Sequence, residues 1–99
     1  MKREIITIDE NGNVSIPGAA DVPVLMQDFE VAELFEAMLP TIKSNIRAIL
    51  KSGVVMADVT NGATLVGCNI VPDYYGMGMI VPLAFRIQSS QAEIFRKWA

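Results

Sequence analysis

Asp28-Phe29-Glu30-Val31-Ala32-Glu33-Leu34-Phe35-Glu36-Ala37-Met38-Leu39-Pro40-Thr41-Ile42-Lys43-Ser44-Asn45-Ile46-Arg47-Ala48-Ile49-Leu50-Lys51-Ser52-Gly53 is the stretch whose reading decides the fold. Val31, Leu34, Phe35 and Met38 fall at i, i+3, i+4 and i+7, a single apolar stripe of one helix. Asp28 is placed to cap its start, and Glu30, Glu33 and Glu36 lie on its polar, solvated side. The helix breaks around Met38-Leu39, and Pro40 stands where a new helix has its first turn and a missing N–H costs little. Ile42, Ile46, Ile49 and Leu50 form a second stripe, and Ser52-Gly53 ends it with a residue suited to a left-handed cap. The spacing therefore predicts two short helices, about 28–52 together, joined by about three residues.

Outward from this pair the pattern changes period. On the N-terminal side Ile5-Ile6-Thr7-Ile8 reads as a strand, Asn11-Gly12 as its turn and Val14-Ser15-Ile16 as the return, a hairpin over 4–16. Pro17-Gly18 to Pro23 reads as loop. On the other side Val54 to Thr60 and Ala63 to Val66 flank Asn61-Gly62, a strong hairpin signal, which predicts a second hairpin over about 54–72. Met79, Ile80, Leu83, Ala84 and Ile87, then Ala92, Ile94, Phe95 and Trp98, predict two closing helices over about 77–98, the first kinked or delayed by Pro82. The order is β-β-α-α-β-β-α-α. A helix pair followed at once by a hairpin is the outline of a winged helix-turn-helix, so the expected fold is one α+β domain of that type over residues 1–99.

Composition bounds the chemistry. The chain has 99 residues, 52% of them hydrophobic and 19% charged, enough to bury a core. Without histidine and with one cysteine, Ser-His-Asp and Cys-His catalysis, zinc fingers and internal disulfides fall away. No apolar run approaches the ~20 residues of a membrane span, and Glu4, Asp9 and Glu10 interrupt any signal-peptide pattern, so the expected location is cytoplasmic. Net charge is −3, but it is polarised. Residues 1–39 carry two basic residues against eight carboxylates, whereas residues 40–99 carry six against three.

The second helix carries the functional expectation. At about 100° per residue, the face opposite Ile42 and Ile46 presents Thr41, Ser44, Arg47 and Lys51, with Lys43 and Asn45 at its flanks. That surface has three cations, three small hydrogen-bonding side chains and no carboxylate. Lys and Arg can neutralise phosphates, and Arg, Asn, Ser and Thr can read base edges. An ordinary amphipathic helix also has a solvated polar face, so the pattern by itself leaves both readings open.

Met26-Gln27-Asp28-Phe29-Glu30-Val31-Ala32-Glu33-Leu34-Phe35, Thr41-Ile42, Asn45-Ile46 and Lys51-Ser52-Gly53 resemble the helix-turn-helix of the RhuM family, bacterial proteins related to Bro-N domains. Tyr74-Tyr75-x-Met77-x-Met79-Ile80-Val81-x-Leu83-Ala84-Phe85-Arg86-Ile87-x-Ser89 and Phe95-Arg96-x-Trp98-Ala99 are similar to a later signature of that family, so the resemblance spans about residues 24–99. It implies a winged-helix-like DNA-binding domain without a well-established enzymatic activity. The chain departs from the family at Glu36, where glycine is usual, at Met38 and Leu39, where polar turn residues are usual, at the uncharged Gln88, Ser90 and Gln91 around Ser89, and at Gly78.

The expected function is thus a non-enzymatic, cofactor-free DNA-binding or transcription-associated module that reads duplex DNA through helix 40–52. Thr41, Lys43, Ser44, Asn45, Arg47 and Lys51 would form its surface and Asn61 and Gly62 its wing tip. With so little positive charge a homodimer is expected. The alternative is a protein-interaction module on the same fold that has lost its nucleic-acid surface. It is favoured by the absence of any lysine or arginine between Gly53 and Phe85. Met38 and Leu39 are either core or a partner contact. Tyr74, Tyr75 and Trp98 either fill the core or stack on bases. Arg86 and Arg96 either contact phosphate or pair with Asp73 or Glu93, and Cys68 reads as a buried, inert thiol. Gly76-x-Gly78 lacks the third glycine and preceding strand of a dinucleotide site.

Overall fold

The computed structural model describes residues 3–16 and 22–99. The loop expected over Pro17 to Pro23 therefore lies largely outside the described residues. The elements are β1 (Thr7–Ile8), β2 (Val14–Ser15), α1 (Asp28–Phe35), α2 (Leu39–Ser52), β3 (Ala63–Val66), β4 (Asn69–Pro72), α3 (Met77–Ala84) and α4 (Ser90–Trp98). Among the described residues the architecture is mixed α+β: four helices and two separate two-stranded antiparallel sheets, in the order the periodicity predicts.

Helix α1 starts in a capping box. The Gln27 side chain receives the N3 backbone N–H, and Glu30 accepts the Gln27 N–H at 2.8 Å. The cap is therefore Gln27 and not Asp28, which sits in the first turn, where its charge suits the helix dipole. The helix ends in a Schellman-type turn. Glu36 is left-handed (φ 50°, ψ 42°) and the Ala37 N–H reaches back to the Ala32 carbonyl at 2.9 Å. Two residues later α2 begins with Pro40 in its first turn and runs to the left-handed Gly53.

Both apolar stripes face one core. Val31, Leu34 and Phe35 from α1, Ile42, Ile46 and Ile49 from α2, Ile80 and Leu83 from α3, and Phe95 from α4 are all buried. The Phe35 and Phe95 rings meet edge-on with centroids 5.5 Å apart. A short bridge ties the entry of α1 to the entry of α3: Met26 and Tyr75 exchange both backbone hydrogen bonds, at 2.9 and 2.8 Å. Helix α3 stops two residues after Pro82, and Arg96 of α4 donates to its trailing carbonyls, Ala84 at 2.6 Å and Ile87 at 3.0 Å. Ser89 caps α4 by accepting the Ala92 N–H.

The hairpins are shorter than expected. The first pairs only Thr7 with Ser15 and Ile8 with Val14 across the Asn11-Gly12 turn. In the second, Val54 to Thr60 forms no strand, and the turn is Gly67-Cys68, closed by Val66 and Asn69. Gly67 has φ 62°, as the first position of a type II′ hairpin turn requires. Asn61 and Gly62 therefore lie at the base of this hairpin and not at its tip. Cys68, expected to be buried in a strand, is exposed at the turn.

Candidate nucleic-acid interface

Only Pro72 of the eight residues in β3 and β4 is buried. The hairpin therefore stands off the core and lies along one flank of α2. Between them runs an open groove of about 440 Å³, walled by Lys43, Ile46, Arg47 and Leu50 on the helix side and by Val66 and Ile70 on the hairpin side. Tyr75 also lines it. Burial pushes the Tyr75 phenol up, and the Asp28 and Asp73 carboxylates push it further in the same direction.

The predicted site residues divide by what they touch. Thr41, Ser44, Arg47 and Lys51 are exposed on the outer side of α2, and their side chains make no hydrogen bond to another described residue. Lys43, also exposed, lies 3.9 Å from Asp28 at the start of α1, so its charge is partly spent within the protein. Asn45 is the most constrained of the six. Its Nδ2 donates to the Thr41 carbonyl at 2.9 Å, and its Oδ1 accepts from Arg86 Nε at 3.0 Å. Lys43, Arg47 and Lys51 stand four residues apart, a ladder of cations rising about 6 Å per step along the helix. Asn61 and Gly62 are not part of this surface. They belong to the hairpin base, where Thr64 Oγ1 donates to Asp73 Oδ1 at 2.6 Å and Gly62 accepts the Asp73 N–H.

Arg86 is the residue that pattern reading did not assign to this surface. It is exposed, bonds no carboxylate among the described residues, and brings a fourth cation against α2 from 41 residues away. Its partner is Asn45, and neither Asp73 nor Glu93, the acidic partners expected. Arg96, by contrast, is engaged with backbone carbonyls, and Glu93 pairs with Lys97 instead. The aromatic residues also separate. Tyr75 is core, the Tyr74 ring lies under the Arg3 guanidinium at 5.2 Å, and Trp98 packs on Phe95.

Several remaining candidates resolve into local structure. Met38 is 73% exposed at the start of α2, so it is not the core residue one reading expected, while Leu39 is half-buried. Glu30 is not merely solvated, since it forms an ion pair and hydrogen bond with Arg3. Burial opposes its ionisation, but the Arg3 guanidinium and the Gln27 N–H outweigh that and hold the carboxyl below its ordinary range. No group of three or more metal-ligating side chains gathers among the described residues. None of the described helices is long and apolar enough to cross a membrane. Comparison with protein-family models, with curated protein sequences and with solved structures returned no match.

Proposed function

We propose that this chain is a DNA-binding module of winged helix-turn-helix type, in which α2 enters the major groove. The observation that carries the reading is the outer face of α2. Thr41, Ser44, Arg47 and Lys51 are exposed there, with no side-chain hydrogen bond or ion pair to another described residue, Arg86 flanks them through Asn45, and the helix carries no carboxylate. Arg47 and Lys51 neutralise phosphates and Thr41 and Ser44 meet base edges. The left-handed turn at Glu36 supports the reading from the fold side, because it joins an eight-residue helix to a fourteen-residue one through a short turn. The resemblance to the RhuM family points the same way, to a non-enzymatic bacterial module associated with transcription.

The test is fluorescence anisotropy with a random duplex over a salt series. With about three phosphates neutralised, affinity falls roughly 40-fold between about 50 and 200 mM salt. An Arg47→Glu, Lys51→Glu double variant loses binding. Wild-type protein that stays unbound at the lower salt overturns the proposal.

A protein-interaction module is the second reading, and the uncharged hairpin favours it. Phosphate-binding wings need cations, whereas β3 and β4 have none and expose Leu65, Val66 and Ile70. In the DNA-binding reading α2 carries the contacts without help from the hairpin.

A further inference from the structure

The hairpin has an open edge whose hydrogen-bonding groups can be assigned. Val66 and Asn69 close a two-residue loop, and antiparallel pairs alternate between bonded and non-bonded along the ladder. The Asp73 N–H donates to the Gly62 carbonyl at 3.0 Å, which marks Gly62–Asp73 as a bonded pair. Counting by twos, Thr64–Val71 and Val66–Asn69 bond inward. The N–H and C=O groups of Ala63 and Leu65 therefore point away from β4, to an edge that no other described strand covers.

Natural edges are usually protected by charge, proline, a bulge or a covering element. Strand β3, Ala-Thr-Leu-Val, has no charge, proline or bulge, no other described strand covers its outer edge, and all four residues are exposed. Strand β4 is the poorer template, because Pro72 lacks an N–H and the strand flanks the groove beside α2. No charged residue occurs from Val59 to Pro72, in a chain with net charge −3. Two copies thus meet here without like charges opposed, and the edge offers no charge by which a different partner would be selected. Leu65 is 69%, Val66 57% and Ile70 65% exposed, and the segment leading into the hairpin adds Val54 at 84% and Met56 at 82%.

We infer that β3 is the edge through which two copies of this chain associate, giving a four-stranded antiparallel sheet with a two-fold axis at Thr64. Ala63 of one copy then bonds Leu65 of the other, twice over, because a two-fold contact is self-complementary. Thr64 faces its own symmetry mate in a non-bonded pair, with Cα atoms about 4.5 Å apart. Asn69 and its mate are separated by three strand spacings, at least about 14 Å. The apolar side chains available place the contact at the small end of stable interfaces, so the dimer dissociates in the micromolar range.

This inference does not rest on the DNA-binding reading, and it is tested without nucleic acid. Sedimentation velocity from about 1 μM to 1 mM spans the dissociation constants such a contact supports. The expected result is a concentration-dependent monomer–dimer equilibrium, weakened at least tenfold by Leu65→Lys while thermal unfolding of the dilute protein is unchanged. In a Cys68→Ser background, Thr64→Cys forms an intermolecular disulfide on mild oxidation and Asn69→Cys does not. A wild-type chain that stays monomeric throughout overturns the inference. So does a dimer untouched by Leu65→Lys, or an Asn69→Cys variant that cross-links as readily as Thr64→Cys. A dimer that fails to bind duplex leaves this inference standing and removes only the DNA-binding one.

Discussion

Replacing Glu36 by glycine stabilises the protein, although it deletes a charged side chain from the surface. Glu36 is the only non-glycine residue with positive φ among those described, at 50°, and it closes α1. An L-residue in that conformation costs roughly 1–2 kcal/mol, from contact between its Cβ and the following carbonyl. Its negative charge also sits at the negative end of the α1 dipole, an unfavourable placement of about 0.3 kcal/mol. Against these, glycine loses about 0.5–1 kcal/mol more backbone entropy on folding. The net gain is about 1 kcal/mol, which for a chain of this size raises Tm by about 4–8 °C. Urea and thermal unfolding of wild type, Glu36→Gly and Glu36→Ala measure it. Alanine removes the charge and keeps the Cβ, so it recovers only the dipole contribution. The reasoning is refuted if alanine stabilises as much as glycine, or if glycine destabilises.

Other consequences separate structural from functional arginines. Arg96→Ala removes two charge-assisted hydrogen bonds to the end of α3 and lowers stability by about 2–3 kcal/mol. In an anisotropy assay under native conditions it leaves duplex affinity within twofold. Arg86→Ala gives the reverse pattern: unfolding shifts by less than about 0.5 kcal/mol, as for an exposed site, and duplex binding weakens several-fold. The pH dependence follows from Glu30. Its folded pKa is lowered, so the stability from its ionised form is complete above the ordinary carboxylate pKa of 4.5 and is lost as pH falls through the lowered value. Urea midpoints at neutral and acid pH should therefore fall less for Glu30→Gln than for wild type. An equal fall in both would show that the Arg3 pair contributes nothing.

The element order was legible because each helix stripe is dictated by one core. Ile42, Ile46 and Ile49 are spaced as the buried side of α2 must be, and Phe35 and Phe95 close the far side. The hairpin turn was misread because Asn61-Gly62 and Gly67-Cys68 compete locally as turn signals. What decides between them is strand pairing: the segment 54–60 pairs with no described strand, whereas Ala63–Val66 pairs with Asn69–Pro72. The capping residue was displaced by one position because a Gln27–Glu30 capping box satisfies two backbone donors and Asp28 alone would satisfy one. Asn45–Arg86 could not be found from periodicity, since it joins residues 41 positions apart through the packing of α3 on α2.

The central claim is that α2 is the surface that meets DNA. Backbone amide chemical shifts of the isotopically labelled protein, followed while a random duplex is added at low salt, test it most directly. The account predicts shifts concentrated at Thr41, Ser44, Asn45, Arg47, Lys51 and Arg86, with β3 and β4 little changed. Shifts confined to residues 63–72, or no shifts at millimolar duplex, would contradict it.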